Sequence, residues 1–329
     1  MLIIRVAAFL GLLTLAAPSM AAPESFPDWL SGFKRQAIAE GIDESLLDRV
    51  LADLQPIDKV LEHDRHQPEF TMSFHDYLSH VVNKNRIKDG RGRLAANRAG
   101  LNRIAEREGV PPAQIVAMWG IESDYGRVSG SFQVLPALAT LAYDGRRSAY
   151  FRGELLQALK MVAHGVPPEH MRGSWAGAMG QCQFMPSTYL NFAAAADGQG
   201  EPDIWSKPAD VWASAAHYLA GLGWRRGESW GMAVSLPKRG VAPALFGLDQ
   251  ARPLKDWARL GLMRAGGGKL NGTAETRLAL IRVDAGKDGK GGSGPAYLVG
   301  DNFRALLHWN RSFFFAVAAG TLADRIASR

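Results

Sequence analysis

Apolar residues recur at helical spacing along most of this chain, and one interval breaks the pattern. Between residues 26 and 54, Trp29, Leu30, Phe33 and Ala37 predict one helix. Gly41 interrupts it, and Asp43 is placed to cap a second helix carrying Leu46, Leu47, Val50, Leu51 and Leu54. Pro56 stops that helix. The segment 67–88 begins extended and turns helical. A basic helix comes next, with Leu94, Leu101, Ile104 and Ala105 on one face and Gly109 at its end. The next helix reads VPPAQIVAMWGIESDYG. Pro111 and Pro112 stand in its first turn, where a missing N–H costs nothing, and Gly126 closes it. Further helices are predicted over 148–164, from about Pro186, over 208–222 and over 301–328. Between Ser235 and Gly300 the character changes. Glycine is frequent, Leu280, Ile281 and Val283 read as part of a short strand, and AGKDGKGGSGPAYLV reads as a hairpin or mobile loop. The pattern predicts a mainly α chain of the α+β class.

The first residues obey a different rule. Arg5 precedes an apolar run from Val6 to Ala17, and small residues come after it, with Ser19 and Ala21 at the −3 and −1 positions of a cut after Ala21. That is the layout of a secretory signal peptide, and the run is short for a membrane span. It predicts export to the periplasm. No cysteine lies near the cut to carry a lipid, and no later stretch is apolar enough to be a transmembrane segment.

Composition adds three constraints. At 329 residues with 47% hydrophobic and 21% charged, the chain has ample material for a core. Its single cysteine, Cys182, excludes an internal disulfide. The net charge of +6 suits an anionic polymer, and export points to cell wall rather than nucleic acid.

Glu122 is the first candidate for chemistry. Ile115, Met118 and Trp119 lie seven, four and three residues before it, on the helix face that carries its side chain. Apolar surroundings disfavour a carboxylate and raise its pKa, as a general acid near neutral pH requires. A glutamate near a helix end is ordinarily a cap or a surface residue, so the apolar face is what singles it out. Asp124 projects elsewhere if the helix continues and makes a poor partner. The second candidate is GSWAGAMGQCQFMPS. Its glycines permit close backbone approach to a ligand, and Gln181 and Gln183 can read hydroxyl and acetamido groups without charge. A tight structural connection between helices would use the same residues.

GIESDYG followed by SWAGAMGQCQFMPS resembles the lytic murein transglycosylases of the B type. QPEFTMSFHDYL and NFRALLHWNRSFFFAVAAGTLADRI resemble the same family, and the likeness runs over about residues 25–325. The resemblance implies a lysozyme-like core with accessory helical and β-containing subdomains. The division it suggests is 1–21 signal peptide, 22–100 N-terminal helical region, 101–234 catalytic core, 235–300 β-containing subdomain and 301–329 helix returning to the core. It implies cleavage of the β-1,4 bond between N-acetylmuramic acid and N-acetylglucosamine, leaving a 1,6-anhydromuramyl end. Glu122 would be the sole catalytic carboxylate, acid and then base, with the muramyl acetamido group assisting. Ser174, Gln183, Tyr218 and Asn310 match positions that line the sugar cleft, with Tyr77 and Gln181 beside them.

Two matched positions depart from the family. Trp309 stands where a tyrosine precedes the asparagine, and Phe315 where another comes after it. Each keeps an aromatic face and loses a phenol hydroxyl. Some members carry a calcium loop here. Asp197, Gln199, Glu201 and Asp210 could supply ligands, but Ala195 occupies the first ligand position and Gln199 replaces an acid, so a degenerate loop is expected and no cofactor is required. Cys182 has no histidine at a spacing that would make it a nucleophile. The eight histidines form no HExxH motif, which leaves a metal hydrolase unsupported. The expected partner is the peptidoglycan glycan strand, with other cell-wall enzymes as further candidates and a monomer as the default. The competing readings are a muramidase that uses water and a weakly active wall-binding or scaffold protein.

Overall fold

The computed structural model describes residues 24–65, 72–284, 292 and 294–328. The segment read as a signal peptide, the start of 67–88 read as extended, and most of the glycine-rich 285–293 stretch lie outside the described residues. Among those described, no helix is long and apolar enough to cross a membrane.

The fold is mainly α with one small antiparallel sheet. Helices α1 (Phe26–Ala39), α2 (Glu44–Leu51) and α3 (Asp58–Arg65) come first, as the apolar spacing predicts for the first two. Ser25 and Asp43 cap α1 and α2 through their side-chain oxygens. Asp64 of α3 is buried, and its carboxylate takes Arg146 and, at 2.5 Å, Arg147. That ion pair ties α3 to the turn between α8 (Val134–Tyr143) and α9 (Ser148–Ala163). Helices α4 (Phe74–Val81), α5 (Lys84–Ala96) and α6 (Arg98–Glu108) lie between α3 and the centre of the chain, with α6 ending at the left-handed Gly109.

The centre of the molecule is α7 (Pro112–Ser123). Every residue from Ala113 to Gly120 is buried, as expected of a helix apolar on all sides. It packs against α5, α6, α11 (Pro208–Gly221) and α14 (Phe313–Ala327). A short ladder joins β1 (Phe132–Gln133) to β2 (Arg172–Gly173), and α10 (Pro186–Phe192) starts where the proline placed it. The buried carboxylate of Glu154 accepts both the Ser187 N–H and hydroxyl, which anchors the first turn of α10 on α9.

The remaining strands form one sheet in the order β4-β6-β7-β3-β5. They are β3 (Gly231–Ser235), β4 (Arg252–Pro253), β5 (Met263–Arg264), β6 (Arg277–Arg282) and β7 (Ala296–Val299), all antiparallel. The sheet thus begins at Gly231, inside the segment read as core. Helix α12 (Leu254–Arg259) covers it, and Trp257 is wholly buried, donating its indole N–H to the Leu278 carbonyl at 2.8 Å. Helix α13 (Asp301–Trp309) then carries the chain back to α14.

Sheet and helices meet along α14. Trp230 lies against Gly320 and donates its indole N–H to Asp324 at 3.1 Å. A Cβ on Gly320 would sit 2.3 Å from the Trp230 ring. Buried Asn302 secures the same junction by bonding Arg225 N–H and the carbonyls of Arg225 and Glu228. Gly320→Ala should cost about 1–3 kcal/mol in urea unfolding through overpacking, despite alanine's better helix propensity. An unchanged or raised midpoint would remove this contact as the seam between the two parts.

Candidate active site

The site grows from the C-terminal turn of α7. Ile115, Met118 and Trp119 are buried behind Glu122, as their spacing predicts. The carboxyl lies deep among protein atoms, with limited exposure on one side. Burial pushes its pKa up from 4.5 to about 8, and a hydrogen bond from the Trp309 indole N–H to Oε1, 2.7 Å long, opposes part of that rise. The other carboxyl oxygen has no protein partner among the described residues. The group is therefore a protonated acid at neutral pH with one oxygen held and the other free.

The turn after Glu122 is strained. Asp124, Tyr125 and Gly126 adopt left-handed backbone in succession, with φ of 50, 60 and 86°. For the two non-glycine residues this costs about 1 kcal/mol or more each. Contacts on every side hold the turn. Asp124 meets Arg127 at 2.8 Å and Arg86 at 3.6 Å, and these cations lower its pKa. Its carboxylate thus faces arginines and stays ionised. Tyr125 is buried edge-on to Trp119, and its hydroxyl donates to the Arg86 carbonyl at 2.7 Å. A Cβ on Gly126 would lie 2.4 Å from Gln181 Oε1. The sequence put the helix end at Gly126, but αL backbone already ends it at Ser123.

The glycine-rich loop folds against this turn. Gln181 is buried, accepts the Trp119 indole N–H at 2.8 Å and donates to the Trp205 carbonyl at 2.7 Å. Its amide joins α7 to the loop on both sides and faces away from solvent. Gln183 has φ of 51°, and its Nε2 donates to the carbonyls of Ser129 and Gly180. Its amide oxygen is the end left for a ligand. Ser174 closes a tight turn, its hydroxyl accepting the Ala178 N–H at 3.1 Å. Cys182 is buried, its thiol donates to the Val211 carbonyl, and burial first, then the nearby Glu122 charge, pushes its pKa well up. A thiol held that way is a packing group.

Aromatic rings pack around the indole that holds the acid. Trp309 stands 4.9 Å from Tyr218 and 5.5 Å from Phe184, and those two are 5.3 Å apart. Burial raises the Tyr218 pKa, so it presents a neutral hydroxyl. Phe184 is buried in the core and backs Trp309 from behind. Sequence reasoning missed the Trp309 N–H as the donor to the acid. Asn310 is exposed and caps the end of α13, its Oδ1 accepting Ser312 N–H. Tyr77 is half-buried on α4, its ring 5.7 Å from Phe314. Phe315 is 4% exposed and belongs to the core of α14, so its ring is no stacking surface.

The calcium-loop candidates have other tasks. Buried Asp210 accepts N–H groups from Ala196 and Asp203, and Asp197 accepts from Gln199. Glu201 and Gln199 are exposed. Among the described residues no three His, Cys, Asp or Glu side chains gather to hold a metal ion. The donor set here does not fit calcium, because the buried carboxylate is spent on backbone N–H groups that close the loop without it.

The fold and this acid place the chain in the lysozyme-like class. Residues 25–324 match the family model described as the transglycosylase SLT domain. Membrane-bound lytic murein transglycosylase B of Escherichia coli (strain K12) is 31% identical over 300 residues, covering 87% of this chain and 79% of that protein. The crystal structure of SltB3 from Pseudomonas aeruginosa in complex with NAG-NAM-pentapeptide superposes with a TM-score of 0.85 at 42% identity, covering 93% of this chain and 80% of that one. The Escherichia coli lytic transglycosylase Slt35, solved in complex with calcium, gives 0.74 at 29% identity over 91% and 92% of the two chains. This chain belongs to the SLT-domain transglycosylase family, among its B-type lytic members.

The buried acid makes a stability prediction with a definite sign. Folding raises the Glu122 pKa, so the native state holds a proton that the unfolded chain releases above about 4.5. Stability from this group falls as pH climbs from there to about 8, where the full cost is reached. Glu122→Gln should therefore unfold like the parent near pH 4.5 and be more stable at pH 9, by on the order of a few kcal/mol. Equal stability of the two at pH 9 would mean the carboxyl is solvated.

Proposed function

We propose that this chain is an exported lytic transglycosylase acting in the periplasm on the glycan strands of peptidoglycan. It cleaves the β-1,4 bond between N-acetylmuramic acid and N-acetylglucosamine and leaves a 1,6-anhydromuramyl end. The observation that carries this reading is the lone, protonated Glu122 with its one free oxygen, beside an Asp124 turned to arginines. The family membership supports the reaction class. SltB3 has also been solved with NAG-anhNAM-pentapeptide, a ligand whose muramyl unit is the anhydro form.

Glu122 gives its proton to the bridging oxygen as the glycosidic bond breaks. The muramyl acetamido oxygen attacks the anomeric carbon from within the substrate, so no second carboxylate is needed. Glu122, now ionised, takes the proton from the C6 hydroxyl. That oxygen displaces the acetamido group and closes the anhydro ring. The proton is back on Glu122 and no water is consumed. Trp309 serves both states, since its N–H strengthens toward the carboxylate formed midway. Trp309 and Tyr218 shield the reacting centre from water, with Gln183 Oε1, Ser174 and Asn310 as the polar contacts offered to the sugars and Tyr77 farther along the groove.

Two measurements test this. Mass spectrometry of digested sacculi should show products lighter than reducing muropeptides by one water, and Glu122→Gln should produce none. Reducing ends would make the chain a muramidase, and lysis by Glu122→Gln would remove that residue from the mechanism. Separately, kcat/KM should fall as pH rises through about 8, the pKa of the acid. Trp309→Phe removes a bond that lowers that pKa, so its alkaline limb should lie at higher pH while the maximal rate drops. A limb that stays put would show that Trp309 does not act on Glu122.

A further inference from the structure

A second concave region lies away from Glu122. A cavity of about 1260 Å³ opens between the sheet and the C-terminal half of α14. Another, of about 690 Å³, continues between α4, α5 and α14, and the two share Leu78, Thr321 and Arg325. Helix α14 connects this trench to the catalytic centre. Its first turn comes just after Trp309 and Asn310, and Arg325 lies on the order of 15 Å further along the axis at 1.5 Å per residue.

The trench carries more cations than acids, and the excess lies at its smaller end. Lys84, Lys88, Arg91, Arg264, Arg277 and Arg325 line it, all exposed and, among the described residues, none in an ion pair with a carboxylate. Arg91 and Arg277 donate only to backbone carbonyls and a serine hydroxyl. Among the described residues, no acidic one lines the smaller cavity. In the larger one, Glu228 and Asp301 are paired with Arg225, and Glu275 with Lys255. The remaining acid, Asp324, accepts the Trp230 indole and sits beside Arg264 and Arg325. In the smaller cavity Lys84, Lys88, Arg91 and Arg325 face one groove with no described acid in its lining, and they repel one another unless an anion lies among them.

From this geometry we propose that the trench is a second binding site, for the carboxylate-bearing peptide stems of the cell wall, separate from the glycan cleft. The inference rests on the proposed function for its choice of anion. The pentapeptide in the SltB3 complexes ends in a carboxylate, and a wall polymer presents many such stems at once. Guanidinium groups suit carboxylates in particular, through paired N–H donors. An anionic membrane is the weaker fit. Its surface is flat, whereas this one is concave, and the described lining offers no exposed aromatic or large aliphatic side chain to insert. Holding stems here keeps the enzyme on the wall between cuts, without demand on the cleft.

The test uses the full mature chain and a Lys88→Glu/Arg325→Glu variant, with melting temperature as the check on folding. The probes are free stem pentapeptide, intact sacculi, glycan strands stripped of peptide by an amidase, and phosphatidylglycerol vesicles. Loss of two cations and gain of two anions should weaken pentapeptide binding about tenfold or more and raise KM on sacculi, with kcat and cleavage of stripped strands unchanged. Lys88→Gln/Arg325→Gln should show a smaller loss of the same kind, and it reads the effect if charge reversal unfolds the chain. Lys88→Arg/Arg325→Lys should restore binding. Equal KM changes on sacculi and stripped strands, unchanged pentapeptide binding, or charge-dependent binding of vesicles without pentapeptide would each overturn the proposal. Failure of the parent to cleave stripped strands would instead count against the proposed function, whatever the pentapeptide does.

Discussion

A carboxyl group that burial forces to keep its proton is the constraint around which this molecule is arranged. Glu122 would ionise in water. In the last turn of a helix whose centre is wholly buried it does not, because the charged form has lost most of its solvent. The one compensation is the Trp309 N–H, given to a single oxygen. That balance keeps the group acidic enough to give up a proton and basic enough to recover one. A second donor, or a cation within reach, would make it an ordinary carboxylate. The arginines nearby are held by Asp124 instead, on the other side of the turn.

Keeping the acid in place uses strain that the rest of the fold must offset. Two left-handed residues in succession are unfavourable for any chain without glycine at both positions. Tyr125 is locked in by burial and by Arg86, and Gln181 bridges Trp119 to the loop. Gln181 thus braces the helix that bears Glu122, its amide turned into the protein. The buried Asp210 works by similar logic in the neighbouring loop. It closes the chain through the backbone N–H groups of Ala196 and Asp203.

Helix α14 gives the molecule its polarity. Its first turn adjoins the wall of the acid, its middle seats Trp230 on Gly320, and its end faces the cationic trench. A rigid apolar rod therefore fixes the spacing between the aromatic surroundings of the acid and a charged groove. Neutral sugars and charged peptides need opposite surfaces, and a single polymer carries both.

Much of this was legible in the residues alone. Periodicity placed α1, α2, α7, α9 and α11, because local apolar spacing mirrors the face a helix buries. It singled out Glu122 for the same reason, as Ile115, Met118 and Trp119 share its helix face. Distant pairings were not legible. Trp309 reaches Glu122 from 187 positions away, and nothing in either segment says that an indole N–H will meet the carboxyl. Gln181 and Phe315 looked like ligands because motif position records which residues lie near a site, not which way their side chains turn. The six trench cations are scattered from Lys84 to Arg325 and gather only when the sheet closes on α14. Local chemistry along one helix is written in order of sequence, and the sequence determined it. Direction, enclosure and charge collected across the chain depend on packing, and only the tertiary structure decided them.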